Sequence, residues 1–268
     1  MRMIFCSICA LSNKSTDFFC IIKPFERFAK LRKTMPTTKP LQTLWNDLWA
    51  MSFPHFCLGC HSALLRSEIE ICTACRLHLP YTDHHLTQEN TFYKKIAALV
   101  PIRYAAAFLY FVKKGRSQQI LHHLKYQGNA TLATTMGQWF GETLRQANFD
   151  AHFDLILPIP LHASKLKQRG YNQSSAFAQG LSDSLQIPWR DDCMQRVKAT
   201  ATQTRKSRLE RWLNVASIFE ITEAAQIAEK NILLVDDVVT TGATLSEGIQ
   251  ALLQAQAKTV SVAAIASA

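Results

Sequence analysis

At 268 residues the chain is long enough for one sizeable core and a small accessory module, and its 48% hydrophobic content is ordinary for a globular protein. No apolar run approaches the roughly 18 residues needed to span a bilayer, which excludes a membrane-spanning helix. The formal net charge is +10, and half of that excess lies in residues 1 to 51, which hold eight Lys/Arg against three Asp/Glu.

In chain order, Met3 to Leu11 is apolar but short and lacks a small-residue cleavage site, so it makes a poor signal peptide and the chain reads as cytoplasmic. The basic stretch Phe25 to Lys33 and the linker-like Thr34 to Pro40 follow. Residues 1 to 50 read as a disordered extension, or as an over-extended start with initiation at Met35 or Met51. The alternative is a basic arm suited to nucleic acid or to the inner face of a membrane.

Cys57-Leu-Gly-Cys60 and Cys72-Thr-Ala-Cys75 form a C-x2-C, x11, C-x2-C arrangement. Each pair can give two thiolates to one tetrahedral Zn²⁺, and four sulfurs complete the coordination sphere, so the metal is expected to be structural. Disulfides are the competing explanation, but a chain without an export signal meets a reducing compartment. A zinc module is therefore expected over 51 to 82. His55, His61 and His78 lie nearby and read as loop histidines before spare ligands. Cys6 and Cys9 lack a fourth ligand of their own, and Cys193 reads as a core thiol.

Arg103 to Val112 is apolar and aromatic and predicts a strand. Ser117 to Tyr126 and Ala130 to Ala147 have helical spacing, Leu155 to Leu157 predicts a buried strand, and Asn172 to Gln186 a helix with Phe177, Leu181 and Leu185 on one face. Between these last two, Leu157-Pro-Ile-Pro-Leu-His162 is followed by Lys165, Lys167 and Arg169 at alternating positions, then by Gly170 and a helix start. That reads as a loop-borne anion site. His162 suits a turn or helix cap better than a general base. Thr202 to Val215 predicts a charged helix, with Arg205, Lys206, Arg208 and Arg211 beside Trp212, a combination that can bind single-stranded DNA.

The stretch ILLVDDVVTTGATLSEG, residues 232 to 248, is the most informative. Ile232 to Val235 has no alternation and predicts a strand buried on both faces, ended by Asp236 and Asp237. Leu245, Ile249, Leu252 and Leu253 then mark one face of a helix. In a strand, loop, helix unit the free N–H groups at the helix start favour a phosphate, Gly242 permits close backbone approach, and Thr240, Thr241 and Thr244 add hydroxyls. The acids repel a phosphate and suit a neutral group rich in hydroxyls a short distance away. A surface turn with capping Asp and Thr is the plainer reading, but turn chemistry alone does not ask for the whole stretch. No G-x-x-x-x-G-K-[ST] occurs, which excludes a P-loop ATPase. With Thr259 to Ile265 as a last strand, strands alternate with helices. The expectation is a doubly wound, mostly parallel α/β domain over about 95 to 268.

VDDVVTTGAT resembles the signature of type I phosphoribosyltransferases. The resemblance implies that Asp236 and Asp237 hold the ribose hydroxyls of phosphoribosyl pyrophosphate (PRPP), while Thr240, Thr241, Gly242, Ala243 and Thr244 hold its 5′-phosphate. Adding the cysteine pairs, LKYQGN at 124 to 129, PIPLH, Arg169-Gly-Tyr-Asn-Gln173, and Arg196, Gln203, Arg211 and Asn214, the chain resembles the ComF family of competence proteins over about 53 to 268. Lys206 stands where that family has an apolar residue, and residues 1 to 50 have no counterpart. The resemblance implies a role in DNA uptake during natural transformation. If the site turns over, Asp236 and Asp237 orient the ribose, and Arg169, Lys165 or Lys167 and Mg²⁺ offset the departing pyrophosphate; the acceptor stays open. The rival readings are a non-catalytic PRPP-binding factor that handles single-stranded DNA alongside the uptake machinery, and a structural zinc adaptor.

Overall fold

The computed structural model of the protein describes residues 55–268 apart from 114, 127 and 198–217. The expected extension over 1 to 50 and the charged helix over 202 to 215, with Gln203, Arg205, Lys206, Arg208, Arg211, Trp212 and Asn214, lie outside the described residues.

Four strands pair in parallel in the order β1-β6-β5-β2: β1 is Ala105–Tyr110, β2 Leu155–Pro158, β5 Asn231–Val239 and β6 Thr259–Ser267. Each corresponds to a predicted strand. Their apolar runs lack alternation because helices cover both faces. Ala106, Phe108, Ile156, Leu233, Val235, Ala263 and Ile265 belong to one core, with Met136, Phe140, Phe177 and Leu181 from α4 (Ala130–Gln146) and α6 (Gln173–Leu185). Ala105, Ala107, Leu155, Leu157, Ile232, Leu234, Val262 and Ala264 belong to the other, with Phe92 and Ile96 of α2 (Thr91–Ala97) and Leu245, Ile249 and Leu252 of α7 (Ala243–Gln254).

Both sheet edges are occupied. On the β1 side the chain leaving the cysteine region bonds across to the strand, Thr82 N–H to the Phe108 carbonyl at 3.1 Å and Tyr110 N–H to the Pro80 carbonyl at 2.8 Å. On the β2 side the Ile156 N–H donates to Pro188 and its carbonyl accepts from Arg190, at 2.9 and 3.1 Å. Neither edge is left to pair with another chain.

Three features depart from the sequence reading. β5 does not end at the acids but continues to Val239, because β6 is long enough to pair with it as far as Val239 and Ser267. The segment read as a basic loop is a helix, α5 (Ala163–Arg169), which buries none of its residues and so offers no apolar period to detect. Its ends were in the sequence: the His162 ring accepts from the Ser164 N–H at 3.3 Å, and Gly170 closes the helix at φ +79. Finally, β3 (Met194–Arg196) and β4 (Phe219–Ile221) form an antiparallel pair of three-residue strands, too short for a periodic signal. Helices α1 (Thr73–Leu77) and α3 (Arg116–Tyr126) complete the described set.

α4 and α6 cross at backbone distance through Gly137 and Gly180. A Cβ on Gly180 would run into the Thr134 carbonyl and sit 2.9 Å from the Gly137 Cα. Ser184 Oγ bonds the Gln138 carbonyl at 3.0 Å beside the crossing. Gly180→Ala must push the helices apart, and overpacking of this kind costs about 1–3 kcal/mol. Urea unfolding is expected to show a loss in that range; an unchanged midpoint would mean that the crossing relaxes freely.

Candidate functional site

The acids lie within the last four residues of β5, at the carboxyl end where open α/β sheets receive ligands. Both are half-buried, and the Asp236 carboxyl lies deep among protein atoms. Its Oδ1 accepts from the Asp237 N–H at 2.8 Å and the Ser174 hydroxyl at 3.3 Å. Asp237 Oδ1 accepts from the Val238 N–H at 2.6 Å, and its Oδ2 is 3.4 Å from Lys125 Nζ. Burial, and then the neighbouring Asp237 charge, push the Asp236 carboxyl up to about 7; its hydrogen bonds and Lys125 offset this in part. Arg196, on β3, stacks 5.5 Å from the Phe219 ring centroid and is in electrostatic reach of Asp236.

Immediately beyond the acids the chain passes through exposed Thr240 and Thr241 into α7. The N-cap of α7 is Gly242 at φ +81, which has no side chain to satisfy the first-turn N–H groups, and Thr241 Oγ1 lies 3.4 Å from the Ala243 N–H. A Cβ on Gly242 would sit 2.6 Å from Ile96 Cδ1 on α2, so glycine is demanded both by backbone conformation and by space. Lys95, also on α2, donates to the Thr240 carbonyl at 3.2 Å and to the Ala268 carbonyl, tying the loop down from behind. The N-terminus of α6 contrasts with this one, since Asn172 Oδ1 already accepts from the Ser174 N–H at 3.2 Å.

The helical form of α5 changes the geometry of its cations. Lys165 and Arg169, four residues apart, share a face, while Lys167 lies on the other side. Lys165 and Lys167 are exposed; Arg169 is half-buried and donates to Gln173 Oε1 at 2.9 Å. His162 acts as a helix cap.

The second feature is the cysteine cluster. The sulfurs of Cys57, Cys60, Cys72 and Cys75 all lie within 4.8 Å of one another and could hold one metal ion. Backbone N–H groups of Gly59 and Cys72 point at Cys57 Sγ from 3.3 and 3.2 Å, and that of Cys75 points at Cys72 Sγ from 3.4 Å. Gly59 has no alternative, because a Cβ there would sit 2.9 Å from Cys75 Sγ. His78 Nδ1 is engaged with the Ala74 carbonyl at 2.8 Å, and none of His55, His61 and His78 joins the described cluster. The module is not a separate bead. Cys57, Ile71, Cys72, Cys75 and Leu79 share the core of Phe108 and Phe140, and Asn129, the cap of α4, donates to Glu70 at 2.6 Å. Cys193 is buried, as a core thiol should be.

Residues 172–268 match the Phosphoribosyl transferase domain family. The chain is 32% identical over 146 residues to the DNA utilization protein YhgH of Shigella flexneri, covering 53% of this chain and 63% of that protein. It is 32% identical over 132 residues to Competence protein F of Haemophilus influenzae, covering 48% and 58%. It is 27% identical over 199 residues to Competence protein ComFC of Bacillus subtilis, covering 74% and 78%. Together the matched domain and these relatives support a likeness to the ComF family of phosphoribosyltransferase-like proteins. The chain spans somewhat under two thirds of the length of the first of these relatives. Among solved structures, the allosteric regulatory enzyme of purine biosynthesis superposes with a TM-score of 0.39 at 17% identity, covering 54% of this chain and 30% of that one. No described helix is long and apolar enough to cross a membrane.

The sequence singled out the acids, the loop and the cysteines but not the company the acids keep. Lys125, Ser174 and Lys95 come from three other helices, and only the LKYQGN stretch hinted at one of them. The enclosed acid has a measurable consequence. Its pKa is raised from the usual 3.8 to about 7 on folding, so between those values the folded state holds a proton that the unfolded chain releases, and stability falls as pH rises through this window. Asp236→Asn removes that loss. The variant is expected to melt several degrees above the natural protein at pH 8 and close to it at pH 4, and thermal scans showing the same shift at both values would rule the charge out as the cause.

Proposed function

We propose that the protein binds PRPP, with Asp236 and Asp237 on the ribose hydroxyls and the backbone and hydroxyls of Thr240, Thr241, Gly242, Ala243 and Thr244 around the 5′-phosphate, and that it acts in DNA uptake in the cytoplasm. One observation carries the reading: two adjacent half-buried carboxylates, one of them at a cost in stability, stand a few residues before a helix N-terminus whose N-cap is a glycine and where Thr241 Oγ1 takes one N–H at 3.4 Å. A surface turn needs neither feature. A sugar phosphate needs both, because charged acceptors suit a diol and free N–H groups suit a phosphate. The names of the relatives, which speak of competence and DNA utilization, supply the process.

In this reading the protein orients the ribose and neutralises charge as the bond from C1 to pyrophosphate breaks. Arg169 and Lys165, on one face of α5, stand on the pyrophosphate side, with Lys167 on the opposite face. Mg²⁺ accompanying PRPP would add positive charge to the leaving group. Residues 51 to 82 serve as a zinc module and 95 to 268 as the phosphoribosyltransferase-like part. The donor set fits zinc. At Zn–S of about 2.3 Å a tetrahedron places its sulfurs about 3.8 Å apart, and Cys60 and Cys72 are at 3.6 Å. Four thiolates leave no open position, so the metal is structural.

Calorimetry with PRPP and Mg²⁺ tests the reading. Hydrogen bonds to charged groups contribute about 1.5–3 kcal/mol each, so Asp236→Asn with Asp237→Asn is expected to weaken binding roughly a hundred-fold. Unchanged affinity in that protein would sink the ribose assignment. Release of pyrophosphate, screened against bases and nucleotides, separates an enzyme from a PRPP-binding factor that handles single-stranded DNA without turnover. For the metal, elemental analysis is expected to find about one zinc per chain, and Cys60→Ser to lose it and unfold at lower temperature; a variant with full zinc and undiminished stability would contradict the four-sulfur site.

A further inference from the structure

The segment Arg169-Gly-Tyr-Asn-Gln173 spends most of its side chains on the protein and not on open space. The last carbonyls of a helix have no partner within the helix, and that of Leu124, near the end of α3, accepts from two residues of this segment: the Tyr171 hydroxyl at 2.6 Å and Gln173 Nε2 at 3.3 Å. Gln173 is itself aimed by Arg169, whose NH1 donates to Oε1 at 2.9 Å. Burial, above all, pushes the Tyr171 phenol up to about 12, so it keeps its proton and remains a donor. Asn172 is also taken, donating to the Ile159 carbonyl at 3.0 Å. What the clamp fixes is the end of α3, and the residue after Leu124 is Lys125.

Lys125 Nζ lies 3.4 Å from Asp237 Oδ2, with 28% and 16% of the two side chains exposed, and its charge is also felt at Asp236. The charged and titratable groups in reach of the acids are Lys125 from α3, Tyr171 from the clamp and Arg196 from β3, with Arg169 beside Tyr171. Of these, Arg169 is engaged with Gln173, and Arg196 is half-buried against Phe219. Lys125 forms an ion pair with Asp237. Two carboxylates side by side in a poorly solvated strand repel, and a single cation against the outer one relieves that repulsion while holding it in one orientation.

We propose that Lys125 is a positioning residue of the candidate PRPP site: it fixes the Asp237 carboxylate and offsets the charge of the acid pair, and Arg169, Tyr171 and Gln173 act on the ligand through it by clamping the end of α3. The inference rests on the PRPP reading above. It gives the Arg169 to Gln173 segment a second task, beside the anion contact proposed for Arg169 above.

The test is a double-mutant cycle read by PRPP calorimetry, with thermal midpoints recorded for every protein. Lys125→Met is expected to weaken PRPP about tenfold or more, and Lys125→Arg to recover most of the loss. Lys125→Gln, which keeps length and polarity, serves the same purpose if the Met variant folds poorly. Tyr171→Phe removes the clamp's shorter hydrogen bond and is expected to weaken PRPP severalfold in the natural background, yet to add little once Lys125 is gone, because both changes remove one interaction. A role in stability alone would lower the midpoints without that non-additivity. PRPP bound equally well by Lys125→Met, in a protein whose paired Asp→Asn variant has lost it, overturns this inference and leaves the PRPP reading in place. Strictly additive losses overturn the coupling through Lys125. Failure of the folded natural protein to bind PRPP at all overturns both.

Discussion

A parallel sheet covered by helices on both faces and bonded to chain along both edges can be reached only at the ends of its strands. In this protein Asp236 and Asp237 stand at that end, on one of the two central strands. The constraint explains the behaviour of the pair. The carboxyl of Asp236 cannot turn into solvent, so burial raises its pKa, and its stabilisation must come from fixed groups: a neighbouring N–H, the Ser174 hydroxyl and the Lys125 ammonium.

The same constraint accounts for the helices around the site. α7 must start where β5 stops, so its free N–H groups face the opening by topology, and Gly242 lets α2 close against the loop. α6 starts beside β2 but spends its N-terminus on Asn172. The two helix starts differ in their N-cap residues, Asn172 for α6 and Gly242 for α7, although Thr241 Oγ1 takes one N–H of α7 at 3.4 Å.

The cysteine cluster belongs to the architecture more than to the chemistry. Three of its four residues are buried in the core that holds Phe108 and Phe140, and the segment leaving it seals the β1 edge. A metal bound there would fix the covering of that edge and one face of the sheet, at the opposite side of the sheet from β2 and α5. Folding of the α/β part and of the cysteine region are thereby joined through the shared core.

The sequence by itself determined the elements whose signal is local. Unbroken apolar runs marked the four sheet strands, since a strand buried on both faces admits little else. Helical spacing marked α3, α4, α6 and α7, and C-x2-C spacing marked the cluster, because ligands on one tight knuckle must be neighbours in sequence. The acids and the loop were legible for the same reason, lying on consecutive residues. Tertiary structure alone decided three things. It extended β5 past the acids, because the partner strand β6, and not the acids' own propensity, sets where pairing ends. It made 163 to 169 a helix, which buries nothing and so leaves no period to read. And it brought Lys125, Ser174 and Lys95 to the site from 62 to 145 positions away in the chain, because a side chain's partner across a fold is fixed by the packing of whole elements and leaves no mark on the residues beside it.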